Sequence, residues 1–330
     1  MKNCLKRAAY AAVFAALSGT NLASAQEMKL ADFLPPQHAY QEQVYGVLAE
    51  KVAEATGGDV TIKVFPGGAL GGNPVEQYDR ALNGVAEIAF SLQGYTASKF
   101  PMTLMVELPG VVNEQNATDA LWDNFEYIKD EYKRVHLLSL WTNGENVLYT
   151  RDKAVRSLAD VKGLKIRVPS KNAGLVVESW GGVPLSMPMP EIYNALQTGV
   201  IDGVLIDSTA TYAFRFGEVA KYVTAGMNAS ISPFALFMNR DAYRDLTDEQ
   251  QAAFDEIGRE ISTIANKVQL EGVAYGRKLF IDMEDNEWID LSPEAAAEFN
   301  AASAQVIEDV VSEAEAKGLN ARAFVAALQE

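Results

Sequence analysis

The hydrophobic period of this chain switches repeatedly between 2 and about 3.6, and that rhythm restricts the folds open to it. Residues 28–33 read as a strand ended by Pro35-Pro36, and Val44, Val47, Leu48 and Val52 recur at helical spacing until Gly57-Gly58. Val60, Ile62 and Val64 alternate with Thr61 and Lys63 as in a half-buried strand. Asn73-Pro74 supplies an N-cap and a first-turn proline for a helix through Leu82, stopped by Gly84, and 86–92 is the next strand. The same reading predicts a helix over 121–132 and a strand over 137–141. Ser157-Leu-Ala-Asp160 resembles a capping box for a short helix that Gly163 ends. Strand 164–168, helices 171–180 and 190–197 and strand 200–206 follow. Such alternation argues for α/β lobes with largely parallel sheets.

The last third has a different character. Thr247-Asp-Glu-Gln250 is a capping signature, and Phe254, Ile257, Ile261, Ile264 and Val268 continue at helical spacing with no proline before Pro293. A helix of more than 25 residues, longer than one globular core uses, predicts an element that spans two lobes. Ser292-Pro293 opens a terminal helix ending near Gly318. The roughly 305 residues after Ala25 also exceed the 100–200 of a typical core, which again favours two lobes. With no low-complexity linker, the chain must cross between them through short strand segments.

Lys2, Lys6 and Arg7 precede an apolar run over 8–17 and the small-residue triplet Ala23-Ser24-Ala25, the layout of a secretory signal peptide cleaved after Ala25. The run is shorter than the ~20 residues a membrane helix needs. Cleavage would take the net charge from −16 to −19, because residues 1–25 hold three basic and no acidic side chains. It would also remove Cys4, the single cysteine, so thiol chemistry, disulfides and cysteine-bound metals are excluded for the mature chain. So acidic a chain repels nucleic acid and anionic lipid, and no later segment has the apolar length to insert in a membrane. A periplasmic location is expected.

Few residues suggest catalysis. His38 and His136 are far apart in sequence, and there is no His-x-x-x-His, Gly-x-Ser-x-Gly or Walker loop. Neither a metal nor a cofactor is expected. His136 begins a strand and reads as structural. His38 follows the first strand at the end where α/β proteins bind ligands, a position that fits a cap, loop packing or ligand contact. The glycines of 67–72 lack the register of a phosphate loop and fit a turn. In Gly163-Leu-Lys-Ile-Arg-Val-Pro169, alternation sets Leu164, Ile166 and Val168 against Lys165 and Arg167. Arg167 therefore lies at a strand's C-terminal rim, where its planar fork suits a carboxylate; a surface arginine is the other reading.

These segments resemble a known family, the solute-binding proteins of TRAP (tripartite ATP-independent periplasmic) transporters, of the DctP-like type. The likeness runs through Thr56-Gly-Gly-Asp-Val-Thr-Ile-Lys-Val-Phe-Pro66 with Leu70-Gly71, the 81–88 junction, and Phe100-Pro101 and Leu108-Pro109. Its most diagnostic block is Asp160-Val-Lys-Gly-Leu-Lys-Ile-Arg-Val-Pro169, and 191–203 is similar to the next. The resemblance implies a two-lobed periplasmic-binding-protein clamshell with a long helix bridging both lobes. Lobe I is expected to comprise 26–145 and 232–272, and lobe II 146–231 and 273–330.

It also implies that Arg167 grips a ligand carboxylate and that the partners are a small and a large TRAP membrane subunit. Sugar-acid members carry an asparagine where this chain has Ile206, and a second arginine where it has only Thr142-Asn143-Gly144-Glu145-Asn146. The expected ligand is thus a monocarboxylate with an apolar or aromatic body. Besides Arg167, the expected lining is His38, Tyr95, Trp141, Asn146, Trp180, Ile206, Asp207, Tyr212 and Phe234, with Phe90 a further candidate. Sugar acids or dicarboxylates, an enzyme acting on such acids, an ATP-driven importer's binding protein and a sensor-coupled one are the alternatives.

Overall fold

The computed structural model describes residues 25–330; the expected signal peptide, save its final Ala25, lies outside the described residues. Two mixed sheets organise the chain. The first contains β1 (Gln26–Ala31), β2 (Val60–Phe65), β3 (Ile88–Leu92), β4 (His136–Thr142) and, from later in the chain, a strand over Pro233–Met238. The second contains β5 (Val147–Thr150), β6 (Lys165–Val168), β7 (Val183–Ser186), β8 (Gly203–Ile206) and β9 (Tyr222–Ala225). With Pro233–Met238 as β10 and Glu287–Asp290 as β11, the orders are β2-β1-β3-β10-β4 and β11-β9-β5-β8-β6-β7.

The expectation of largely parallel sheets needs correction. β10 runs antiparallel to β3 and β4, and β5 runs antiparallel to β8 and β9. The cause is the chain path. β1, β3, β6 and β8 all end at the gap between the sheets, whereas β5 and β10 enter their sheet from that gap, directly after crossing it. A strand that starts where its neighbours finish must run against them.

Two further expectations change. The helix foreseen over 121–132 is Ala117–Asp123 followed by 3-10 turns at Phe125–Tyr127 and Lys129–Tyr132. Asn124 interrupts it, its amide donating to Ala120 O and Ala327 O at 3.1 and 3.3 Å. The terminal helix, Pro293–Glu315, is followed by a second, Ala321–Leu328. That last helix packs on Ala117–Asp123 and the 103–107 turn beside the first sheet, although 273–330 was expected beside the second.

The bridging helix is Asp248–Ile281, 34 residues opened by a reciprocal Thr247/Gln250 capping box. It touches β4 of the first sheet and β11 of the second. Phe254 and Ile261 are buried with Leu138 and Trp141. Glycines set how closely it approaches. A Cβ on Gly258 would lie 2.0 Å from Leu138 O, and one on Gly276 would lie 1.9 Å from Ser208 O. The strand and helix are then stitched by Ser139 Oγ donating to Gly258 O at 2.9 Å and Leu140 N donating to Ser262 Oγ at 3.1 Å.

Helical glycine normally costs about 1 kcal/mol relative to alanine. Here Gly258→Ala and Gly276→Ala should each destabilise instead, by about 1–3 kcal/mol from overpacking, seen as a lower urea midpoint. A raised midpoint in both would refute the close contacts.

Candidate functional site

The residues around Arg167 show how a strand delivers a charge to an interior. Ile166 and Val168 pack under the helix Lys171–Ser179 with Val176 and Val177. Alternation turns Arg167 to the opposite face, where it is only 1 % exposed while Lys165 stays in solvent. Its Nε donates to Met187 O at 2.9 Å and its Nη2 to Tyr95 Oη at 3.1 Å. Tyr95 Oη also accepts from Met189 N at 3.0 Å. Among the described residues no carboxylate lies within ion-pair distance of this guanidinium. Burial pulls its pKa down, and Tyr95 opposes that pull.

Arg167 lines a cavity between the sheets, which leaves about 60 Å³ open to the centre of a water molecule. The first sheet and its loops contribute Phe33, Leu34, Phe90, Leu92 and Tyr95. Facing them are Pro169, Met189, Leu205, Ile206 and Phe214. The rings of Phe33 and Phe90 are 5.2 Å apart, and those of Phe90 and Phe234 5.4 Å apart. Apolar aromatic surface therefore dominates the walls.

The remaining wall is polar and belongs to the two crossing segments. Asn143 N donates to Ser232 O and Asn146 N to Ser230 O, each at 3.0 Å. Asn143 Nδ2 donates to Asp207 Oδ2 and to Asn146 Oδ1, both at 2.9 Å, and Ser232 N donates to Asn143 Oδ1 at 2.6 Å. Burial raises the pKa of Asp207 against these bonds and those from Thr209. His38 is held nearby, its Nδ1 accepting from Tyr40 N at 3.2 Å. Burial lowers its pKa to about 4, so it is neutral at ordinary pH.

Of the residues expected at the crevice, Arg167, His38, Tyr95, Asn146, Ile206, Asp207 and Phe234 line the cavity, as does Phe90. Three lie elsewhere. Trp141 is fully buried behind the wall, stacked on Phe90 at 5.7 Å, with its Nε1 donating to Tyr40 Oη at 2.9 Å. Trp180 packs edge-on against Phe299 at 5.2 Å and donates to Phe299 O, in the core under the Pro293–Glu315 helix. Tyr212 meets Tyr275 edge to face at 5.1 Å against the bridging helix. Trp141 and Trp180 fill buried apolar interfaces, while Tyr212 lies half-buried on the exposed Tyr275, and sequence position alone does not separate such rings from lining ones.

Tyr40, Gln269, Phe33, Phe214 and Ser232 also line the cavity and were not anticipated. Gln269 left a signal, a polar residue beside Val268 on the apolar stripe of the long helix. His136 is structural as expected, stacked on Tyr243 and 3.0 Å from Asp255.

Beside the cavity a buried acid ties the two sides together. Glu107 Oε2 accepts from Ser170 Oγ at 2.6 Å, and Ser170 caps the helix that follows Arg167. Asn172 Nδ2 donates to Leu104 O at 2.9 Å across the same junction.

The profile of bacterial extracellular solute-binding protein family 7 (DctP) matches residues 30–314. Among solved structures, a TRAP solute-binding protein from Rhodoferax ferrireducens in complex with copurified benzoate is 28 % identical, with a TM-score of 0.86 over 92 % of this chain and 96 % of that one. A marine metagenome TRAP solute-binding protein specific for aromatic acid ligands, in complex with metahydroxyphenylacetate, is 25 % identical, with a TM-score of 0.87 over 92 % and 97 %. A third, from Bordetella bronchiseptica with bound (R)- and (S)-mandelate, is 27 % identical, with a TM-score of 0.84 over 92 % and 97 %.

Burial raises Glu107 from the ordinary carboxyl range to about 8. The folded state thus holds a proton that the unfolded chain releases near 4.5. Stability from this group is full below that pH, declines as pH rises through about 8 and is level beyond it. Asp32 and Glu131, each raised to about 7 by burial, add to the same slope. Glu107→Gln, neutral at every pH, should flatten the fall of Tm between pH 5 and 8; an unchanged slope would place an ionised carboxylate there.

Proposed function

We propose, on the premise that the chain belongs to bacterial extracellular solute-binding protein family 7, the solute-binding proteins of TRAP transporters, that it captures a small organic monocarboxylate with an aromatic or apolar body. It delivers that acid, chemically unchanged, to a small and a large membrane subunit from the periplasm. The observation that carries this reading is Arg167, a buried cation with no acidic partner of its own among the described residues. Burying an unpaired charge is expensive, and a ligand carboxylate would complete both its charge and its fork of donors.

Tyr95 supports the same assignment. Its oxygen accepts from both Arg167 and Met189, so its hydrogen remains to be given to an acid beside the guanidinium. The aromatic walls would cover the body of the ligand, at roughly 25 cal/mol for each Å² of apolar surface removed from water. Among the described residues Arg167 is the only cationic side chain lining the cavity, which disfavours dicarboxylates. Similarity to proteins binding benzoate, a hydroxyphenylacetate and mandelate points the same way.

Capture follows from the geometry. The acid docks on the guanidinium, closure of the two sides excludes water, and the ion pair strengthens as the local dielectric falls. Opening occurs at the crossing segments 143–146 and 226–232.

Benzoate at a hundredfold excess over its Kd should stabilise the protein by about 2.7 kcal/mol in a thermal-shift assay. Arg167→Ala should weaken binding by about 30-fold or more, with the Tm of the free variant checking its fold. Arg167→Lys, charged but without the fork, should fall between the two. Stabilisation by galacturonate or a C4-dicarboxylate, with none by aromatic acids, would overturn the assignment.

A further inference from the structure

The end of the cavity remote from Arg167 has an unusual set of hydrogen-bonding groups. β6 and β8 pair in parallel with Arg167 opposite Val204. Asp207 is three residues farther along, so its backbone lies roughly 10 Å beyond that of Arg167 in the strand direction. The guanidinium is turned toward Met187 O, after β7 on one side of β6, whereas Asp207 follows β8 on the other, so the two groups face the cavity from different sides.

Four groups at the remote end have capacity to spare. Asp207 Oδ2 accepts only from Asn143 among the described residues and keeps a lone pair. Ser232 Oγ is buried without a partner there. Gln269 is held through its oxygen, because Trp141 Nε1 donates to Tyr40 Oη and Tyr40 Oη donates to Gln269 Oε1 at 2.6 Å. Its Nε2 is left as a donor at the wall. His38 gives its Nδ1 to Tyr40 N–H, so its proton is on Nε2.

We infer that this end selects acids that carry a neutral hydroxyl group opposite the carboxylate, and that it rejects a second carboxylate. The inference rests on the monocarboxylate reading above. A hydroxyl accepts from Gln269, His38 or Ser232 and donates to Asp207, so one uncharged group meets both needs. A bare ring leaves those buried groups unpaired. A second carboxylate meets the Asp207 carboxyl with no cation beside it among the described lining residues, and two neighbouring carboxylates disfavour each other's charge. Asp207 and Gln269 are thus both specificity residues, and Gln269 is set in place by a chain of bonds that begins in the core at Trp141.

Calorimetric titration of the full-length mature protein with benzoate, 3-hydroxybenzoate, 4-hydroxybenzoate and terephthalate separates the possibilities. At least one hydroxybenzoate should bind about tenfold more tightly than benzoate, and terephthalate at least about tenfold more weakly. In Gln269→Leu the preference for the hydroxyl should shrink to about twofold or less, whatever the absolute affinities. In Asp207→Asn the discrimination against terephthalate should shrink. Benzoate binding as tightly as both hydroxybenzoates, or terephthalate matching them, overturns the inference and leaves the monocarboxylate reading intact. Failure of all four acids to bind overturns both.

Discussion

A guanidinium held at the inner edge of a sheet imposes its needs on everything near it. Arg167 cannot shed its charge and has lost water, so its donors must find oxygens. The chain supplies neutral ones, Met187 O and Tyr95 Oη, which orient the group without neutralising it. A carboxylate from the protein itself would have removed the motive for binding an acid. Met187 belongs to the second sheet's side and Tyr95 to the turn after β3, so the same two bonds also place the charge at the junction of the lobes.

That junction exists because of how the strands run. The strands preceding the cavity loops finish at the gap, while β5 and β10 start there. The chain therefore passes between the lobes twice in short segments whose amides pair with each other, Asn143 with Ser232 and Asn146 with Ser230. The long helix makes the third connection, and its glycines let its backbone lie against Leu138 on one side and Ser208 on the other. Two short polar segments and one helix thus form the connection between the lobes.

Periodicity disclosed most of this architecture. The strands that alternate cleanly, the Thr247 capping box and the proline-free run up to Pro293 were legible because local pattern and final environment agree there. The strands over 147–150, 183–186, 222–225 and 287–290 were not: four residues carry little pattern of their own, and only the equally short 165–168 and 203–206 had glycine and proline punctuation beside them to mark them. Their direction was less legible still, because it depends on which lobe the chain has just left. At the site, Arg167 stood out by its place before Pro169. The aromatic residues did not sort themselves: Trp141, Trp180 and Phe234 have the same hydrophobic content, and only tertiary packing makes one of them wall and the others core.

Trp141 shows why that division between wall and core is incomplete. It contributes no atom to the cavity lining, yet its indole N–H saturates one side of Tyr40 Oη, which then donates to Gln269 Oε1. An amide on a rotatable side chain is thereby held with one face fixed, at little further loss of conformational freedom when a ligand arrives. His38 is fixed by the same tyrosine through its backbone N–H. A single buried Tyr40, tied into the core on one side and to two lining residues on the other, thus transmits the rigidity of the first lobe to the surface that a ligand meets. Preorganisation of this kind lets a small cavity with one cation discriminate between acids that share a carboxylate and a ring.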